Sequence, residues 1–294
     1  MAKARALDRR RKSIRNIRKI TRTMELISTA TFRRAMDRAL SAGAYAERLA
    51  ELVGNLSRSG LAPRHPLLEQ RPEPRGAALL VLSSNRGLCG GYNGGVLRLA
   101  ALRWKELRSE FENLRLEVAG KRGVAGLRFR GIDPDRTFTH FEDRPRLDEV
   151  EVLAKGYLEA FGAGGLDRLE IVYTKFESLS RQSAVSETLL PIGGADRGEG
   201  EEEELAGESG YEFLPSAESI LAEIVPMSFR VRLFKCFLDA AVSEQVARML
   251  AMKAATENAD QIIAHLTMTY NRARQGQITN ELLEVISGAE AQNK

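Results

Sequence analysis

Between Leu7 and Leu56 the chain has no proline, and apolar or small positions recur at Ile14, Ile17, Ile20, Met24, Ile27, Thr31, Ala35, Leu49, Val53 and Leu56. Spacings of three and four dominate, which marks one helical face sustained over several heptads and softened between Ala39 and Ala46, where Gly43 sits. At ~1.5 Å per residue this helix is roughly 75 Å long. That exceeds the width of a compact domain, so the helix is expected to project.

A second segment of the same kind carries the stripe Val231, Phe234, Leu238, Val242, Val246, Met249, Ala259, Ile263, Leu266, Ala273, Leu282 and Ile286, with no proline after Pro226. Pro226 suits a first helical turn, where its missing N–H costs nothing. The helix predicted from Pro226 to Ser287 is roughly 90 Å long. Two such helices at opposite ends of one chain can bury their stripes by antiparallel coiled-coil pairing. Ala30, Ala35, Ala254, Ala255 and Ala259 permit close approach.

Between the helices the period changes. Ala77–Ser83, Leu114–Ala119 and Leu169–Thr174 read as strands, Gly94–Arg108 and Leu147–Phe161 as helices, and Gln182–Ile192 as an edge strand or hairpin partner. Alternating helices and strands predict a Rossmann-like α/β domain with a mainly parallel sheet. Pro63, Pro66, Pro72 and Pro74 stop the first helix, and Gly193–Gly210, with the acidic run Glu201–Glu204, reads as a solvated loop. The expected organisation is a coiled-coil helix over 1–60, the α/β domain with its linkers over 61–210, and a short helix followed by the long C-terminal helix over 211–294.

The 294 residues, 43% of them hydrophobic, suffice for a substantial core. No window approaches the ~18 apolar residues of a membrane span, and the start lacks the apolar stretch of a secretory signal. Cys89 and Cys236 have no CxxC spacing and no His or Cys partner nearby, so a zinc site or disulfide framework is not supported and a reducing cytoplasm fits. Net charge is only +4, yet Lys3, Arg5, Arg9, Arg10, Arg11, Lys12, Arg15, Arg18, Lys19 and Arg22 face the single acid Asp8 before Glu25. Such a rod can be a nucleic-acid arm, an anionic-lipid helix, a transit peptide, or a shaft inside an acidic or apolar sleeve. Composition alone favours a basic coiled-coil protein that binds nucleic acid.

The glycine-rich stretch Ser83–Gly95 lies between a strand and a helix, where phosphate loops occur. It has neither the GxxxxGK[ST] lysine nor the GxGxxG spacing, so a tight turn or protein contact surface is the better reading. His65, His140 and His265 are scattered, Cys89 beside Arg86 is a lone thiol, and the paired acids Glu142 and Asp143 read as a solvated face. No catalytic set emerges.

Three stretches together, Arg9–Ala39, Ser83–Asn93 and Ser243–Gly288, resemble the gamma subunit of F-type ATP synthases. The first has the family's basic start, its KIT, its ME step and its RRA. The second, SSNRGLCGGYN, is similar to the strand-to-helix loop that usually carries Asp where this chain has Asn85. The third, from SEQVARMLAMKAATENAD to YNRARQGQITNELLEVISGA, is similar to the family's C-terminal helix almost throughout, and His65-Pro66-Leu67-Leu68 adds a smaller match.

The resemblance implies a non-catalytic central rotor shaft, with no cofactor or metal, coupling proton flow through a membrane ring to ATP synthesis or hydrolysis in a hexamer of alpha and beta subunits. The nucleic-acid reading becomes the alternative. Contacts with alpha and beta are expected at Arg9, Arg10, Lys12, Met24, Arg248, Arg274, Gln275, Thr279 and Glu281. Contacts with epsilon or the c-ring are expected at Arg86, Gly87, Cys89 and Tyr211. The residues from Ile278 to Ile286 would form an apolar bearing tip. The implied location is peripheral, on the cytoplasmic face of a bacterial inner membrane.

Overall fold

The computed structural model describes residues 2–58, 65–69, 71–72, 74–141, 144–192 and 217–292. Two helices dominate: α1 (Ala2–Arg58) and α5 (Ala217–Gln292). Between them lie β1 (Gly76–Leu82), α2 (Tyr92–Glu110), β2 (Asn113–Ala119), α3 (Lys121–Arg128), β3 (Arg136–Phe138), α4 (Leu147–Gly162), β4 (Arg168–Phe176) and β5 (Gln182–Leu190). The chain divides into two compact units, Met1–Thr29 with Arg248–Lys294, and Ala30–Ala247.

The larger unit is the α/β domain with the adjoining parts of the two long helices. Its sheet has the order β3-β2-β1-β4-β5. β1, β2, β3 and β4 run parallel, and β5 pairs antiparallel with β4 at the edge, as the sequence suggests. All seven residues of β1 are buried, as a central strand covered on both faces requires. Leu79, Val81, Leu116 and Val118 pack under α2 and α3 with Val96, Leu97, Leu107 and Leu127. On the other face Leu80, Leu82, Leu169 and Ile171 meet α4 through Leu153, Tyr157 and Phe161, and α5 through Leu221, Val225, Phe229 and Leu233. Ala35 and Ala39 of α1 pack on Leu238 and Val242 of α5.

Two expectations are corrected here. The sequence placed Pro226 in a first turn after a separate short helix, but α5 runs unbroken from Ala217 with Pro226 inside it. An interior proline costs about 3 kcal/mol. Leu221, Val225 and Phe229, buried on both sides of it, offset that cost and hold the turn helical. The sequence also gave no element between Leu114–Ala119 and Leu147, where α3 and β3 lie. Gly120, at φ +102°, opens α3, and a Cβ there would lie 2.1 Å from the Ser83 carbonyl oxygen. A Cβ at Gly126 would lie 2.4 Å from Leu97 Cδ1, so these glycines serve close helix packing and mask the helix from a propensity reading.

The smaller unit is the helical pair itself. Thr21 meets Thr256, Arg18 meets Asp260 and Arg11 stacks on Tyr270, so one number falls as the other rises and the pair is antiparallel. On α5 the buried seam keeps Met249, Ala259, Ile263, Leu266 and Ala273 of the stripe read in the sequence, and on α1 it departs from that stripe. On α1 the inward positions step by seven through Leu7, Ile14, Thr21 and Ser28. On α5 they are Met249, Thr256, Ile263 and Tyr270, with Met252, Ala259, Leu266 and Ala273 beside them. Ile17, Ile20, Leu26 and Ile27, the larger apolar residues, point outward and are exposed.

Candidate contact surfaces

The glycine-rich loop is built by its own polar side chains. Ser83 Oγ donates to the Ala119 carbonyl (2.7 Å) and accepts from Gly123 N (2.9 Å). Ser84 N donates to Asn93 Oδ1 (3.0 Å), and Ser84 Oγ donates to the Arg86 carbonyl (2.6 Å). Asn85 uses both halves of its amide: Nδ2 donates to the carbonyls of Phe141 (2.5 Å) and Thr139 (3.3 Å), while Oδ1 accepts from Lys121 N at the start of α3 (3.0 Å). An aspartate here keeps the acceptor but sets carboxylate oxygens against two carbonyls. Asn85→Asp is expected to destabilise the domain by about 1–3 kcal/mol, read as a lower denaturation midpoint, and Asn85→Ser to cost less than the charged variant.

Cys89, expected as a surface contact, is turned inward and only 2% exposed. Asn93 Nδ2 donates to its Sγ at 3.2 Å. The loop presents Arg86 and Leu88 instead. Leu88 holds a left-handed φ of 64°, a conformation L side chains rarely adopt. Gly87 is half-buried against the Arg122 guanidinium, and Tyr211 lies outside the described residues.

The mouth of a doubly wound sheet is where such folds hold nucleotides. Here Leu82 and Ser83 at the end of β1, Ala119 and Gly120 at the end of β2, and Phe141 and Pro145 define that mouth, and Phe237, Ala240 and Ala241 of α5 fill it. Tyr92 Oη donates to the Ala240 carbonyl across it at 3.2 Å. About 40 Å³ is left, far below the ~300 Å³ of a small ligand pocket. Phe237, Ala240 and Ala241 of α5 take up the space at this end of the sheet.

In the helical pair, Arg9, Arg10 and Lys12 are exposed on α1, and Arg274, Gln275, Thr279 and Glu281 are exposed on α5. Met24 is half-buried, and Arg248 is buried at 3% exposure. Arg9 and Arg274 come together: with Arg5, Asp8, Tyr270, Gln277 and Ile278 they line a groove of about 470 Å³ between the helices. Asp8 is already held by Arg11 (2.7 Å) and Lys12 (3.0 Å), so the arginines leave the groove positive. Thr279 Oγ1 donates to the Gln275 carbonyl of its own helix (3.0 Å), and Glu281 accepts from Gln277 (2.7 Å).

Sequence reasoning missed the outward apolar face. Ile20 is 61% exposed, Ile17, Leu26 and Ile27 lie beside it on α1, and Ile262 and Met268 are exposed on α5. Ser28 and Thr21, by contrast, are buried. The signal was present as a seven-residue step through Leu7, Ile14, Thr21 and Ser28, hidden because apolar residues also recur at three-and-four spacing on the neighbouring face. Ile278, Leu282, Leu283, Val285 and Ile286 continue the exposed apolar surface on α5. Among the described residues no helix is long and apolar enough to cross a membrane, and no group of three or more His, Cys, Asp or Glu residues could hold a metal.

A family described as ATP synthase matches residues 3–292. The chain is 59% identical over 297 residues to the ATP synthase gamma chain of Rhodopirellula baltica, covering 99% of each. It is 36% identical over 293 residues to that of Leptospira biflexa, again covering 99% of each. Its fold matches a chain in the OSCP/F1/c-ring structure of Euglena gracilis mitochondrial ATP synthase with a TM-score of 0.66 at 18% identity, covering 99% of this chain and 95% of that one.

Proposed function

Since the chain belongs to the gamma-chain family of ATP synthases, a non-catalytic subunit of the complex and its central-stalk rotor, we propose that its helical pair turns inside a sleeve of alpha and beta subunits. The observation that supports this is the outward placement of large apolar side chains: Thr21, Ser28, Thr256 and Ala259 take seam positions beside Ile14, Met252 and Leu266, while Ile17, Ile20, Leu26, Ile27 and Met268 are exposed. A helical pair that works alone in water keeps its outer face polar. Large outward apolar surface marks a contact with another protein.

Arg9, Arg10, Lys12, Arg274, Gln275, Thr279 and Glu281 supply the polar contacts with alpha and beta that change with angle, and half-buried Met24 sits where a neighbouring loop passes. Differential contact with successive stator conformations is how a rotor biases their equilibrium. The apolar residues from Ile278 to Ile286 form the bearing. Arg86 and Leu88 of the glycine loop are the surface offered to epsilon or the c-ring, and the complex sits on the cytoplasmic face of a bacterial inner membrane, driven by protons. The basic residues are less available to phosphates than composition suggests, because Arg11 and Lys12 hold Asp8, Arg18 holds Asp260 and Arg22 holds Glu25.

Co-purification with alpha and beta subunits tests the reading. One copy per alpha-beta hexamer is expected, and a monodisperse monomer that never associates would overturn it. Ile20→Asp sharpens the test: exposed Ile20 contributes within about 0.5 kcal/mol to the chain's own stability, so folding should survive while assembly or ATP-driven proton pumping drops.

A further inference from the structure

Small residues interrupt the apolar seam of the helical pair and weaken its hold on how far one helix slides along the other. Thr21 and Ser28 on α1 and Thr256 and Ala259 on α5 are small residues set among the larger Ile14, Met252, Ile263 and Leu266. The ion pair between Arg18 Nε and Asp260 Oδ1 (2.5 Å) is half exposed on both sides. It cannot discriminate, because Glu257 stands one turn away on the same helix and would receive Arg18 after a slide. Arg11 over Tyr270, at 4.8 Å, is a contact of similar tolerance.

One contact on the seam is both buried and directional. Thr256 Oγ1 lies 2.8 Å from Thr21 Oγ1, with both residues buried. Thr21 Oγ1 passes its own proton to the Arg18 carbonyl (3.1 Å), so the two hydroxyls form a relay anchored in the α1 backbone. A slide of one heptad sets the Thr21 hydroxyl beside Met249 or Ile263, and a slide of one turn sets it beside Met252 or Ala259. Each register removes the cross-helix bond and gives the Thr21 oxygen no donor from α5.

We propose that Thr21 and Thr256 are positioning residues that pin the axial register of the rotor's helices, so that load twists the pair rather than shearing one helix past the other. The mechanical consequence rests on the rotor function; the register itself does not.

Spin labels at Arg15→Cys and Lys253→Cys, exposed positions set diagonally across the pair, report sliding directly as a change in distance, while Cys89 and Cys236 are buried. The full chain is expected to give one distance. Thr21→Val with Thr256→Val keeps the shape of both side chains and removes the relay. It should add a second distance about 5 Å away, one helical turn, carrying roughly a tenth of the molecules. Thr21→Ser with Thr256→Ser should restore the single distance. A valine pair that keeps the single distance overturns the proposal. Thr21→Val alone lets the Thr256 hydroxyl turn its one proton to the Met252 carbonyl of its own helix (2.8 Å), so it secures the measurement should the double variant lose helicity, with the same two outcomes. In the assembled complex the valine pair should lower protons moved per ATP while hydrolysis continues. Altered register with normal coupling would count against the mechanical role, and failure to assemble in every variant, the parent included, would count against the rotor function instead.

Discussion

Replacing Glu170 by alanine will cost the α/β domain about 3–5 kcal/mol, the penalty for breaking a buried ion pair by removing one partner. Glu170 on β4 is 2% exposed. Arg103 of α2 reaches it with Nε to Oε2 (3.0 Å) and Nη2 to Oε1 (2.8 Å), Arg168 Nη2 adds a contact at 2.7 Å, and Ser186 Oγ of β5 donates at 3.2 Å. One carboxylate thus ties a helix and two strands. Its loss leaves two guanidinium groups facing each other over the sheet, with Glu106 as the remaining acid beside Arg103. Chemical denaturation should show a much lower midpoint. Glu170→Gln, which can accept but not balance charge, should fall between the parent and alanine. A loss below about 1 kcal/mol, the worth of a surface pair, would contradict the structure.

Asp239→Asn will stabilise the protein at neutral pH. Asp239 on α5 is 6% exposed, and burial raises its carboxyl pKa to about 6, against the pull of Lys235 and Lys175, with Glu187 adding to the rise. Tyr173 and Lys175 of β4 both bond Glu187 of β5, and Cys236 is buried nearby with its thiol pushed up to about 12 by burial. The folded protein therefore holds this proton more tightly than the unfolded chain does. Stability from the group is fully present below the unfolded carboxyl range, near pH 4, and is lost as pH rises through 6. Above pH 7 the charged carboxylate costs about 3 kcal/mol by that shift. Asparagine removes the cost, so its advantage should be absent near pH 4, grow between 4 and 6, and stay level above 7. An advantage independent of pH would show that packing rather than charge is responsible.

The elements that were legible in the sequence are those where one signal dominated. β1 reads as a continuous apolar run because both its faces are covered, and α4 reads from Leu147 because its buried residues Val150, Leu153, Ala154, Tyr157 and Phe161 keep helical spacing. The edge position of β5 shows in its half-buried residues from Gln182 to Thr188. α3 was not legible, because Gly120, Gly123 and Gly126 answer to Ser83 and Leu97 far along the chain. Pro226 misled for the same reason, with tertiary burial overriding local preference.

The contact surfaces were less legible than the fold. Motif positions located exposed Arg9 and Arg274 and the groove they share, but spacing on one helix does not say which side another helix will cover. Arg248 and Cys89 lie within the matched motifs and are buried. Ile17, Ile20 and Ile27 share the three-and-four spacing of Ile14 and Met24, yet they are exposed, and the smaller Thr21 and Ser28 are buried.

The seven-residue step of the inward positions, seen at Leu7, Ile14, Thr21 and Ser28, also gives the pair a hand. An α-helix closes a turn in about 3.6 residues, so a strict repeat of seven can stay on the seam only if the two helices coil around each other to the left. A left-handed two-strand cable is not symmetric under torsion. Twist in the sense that winds it further draws Thr21 and Ala259 tighter against the opposite strand, and twist in the other sense relaxes it. The stiffness opposing synthesis should therefore differ from that opposing hydrolysis, by an amount fixed in the spacing of these small residues.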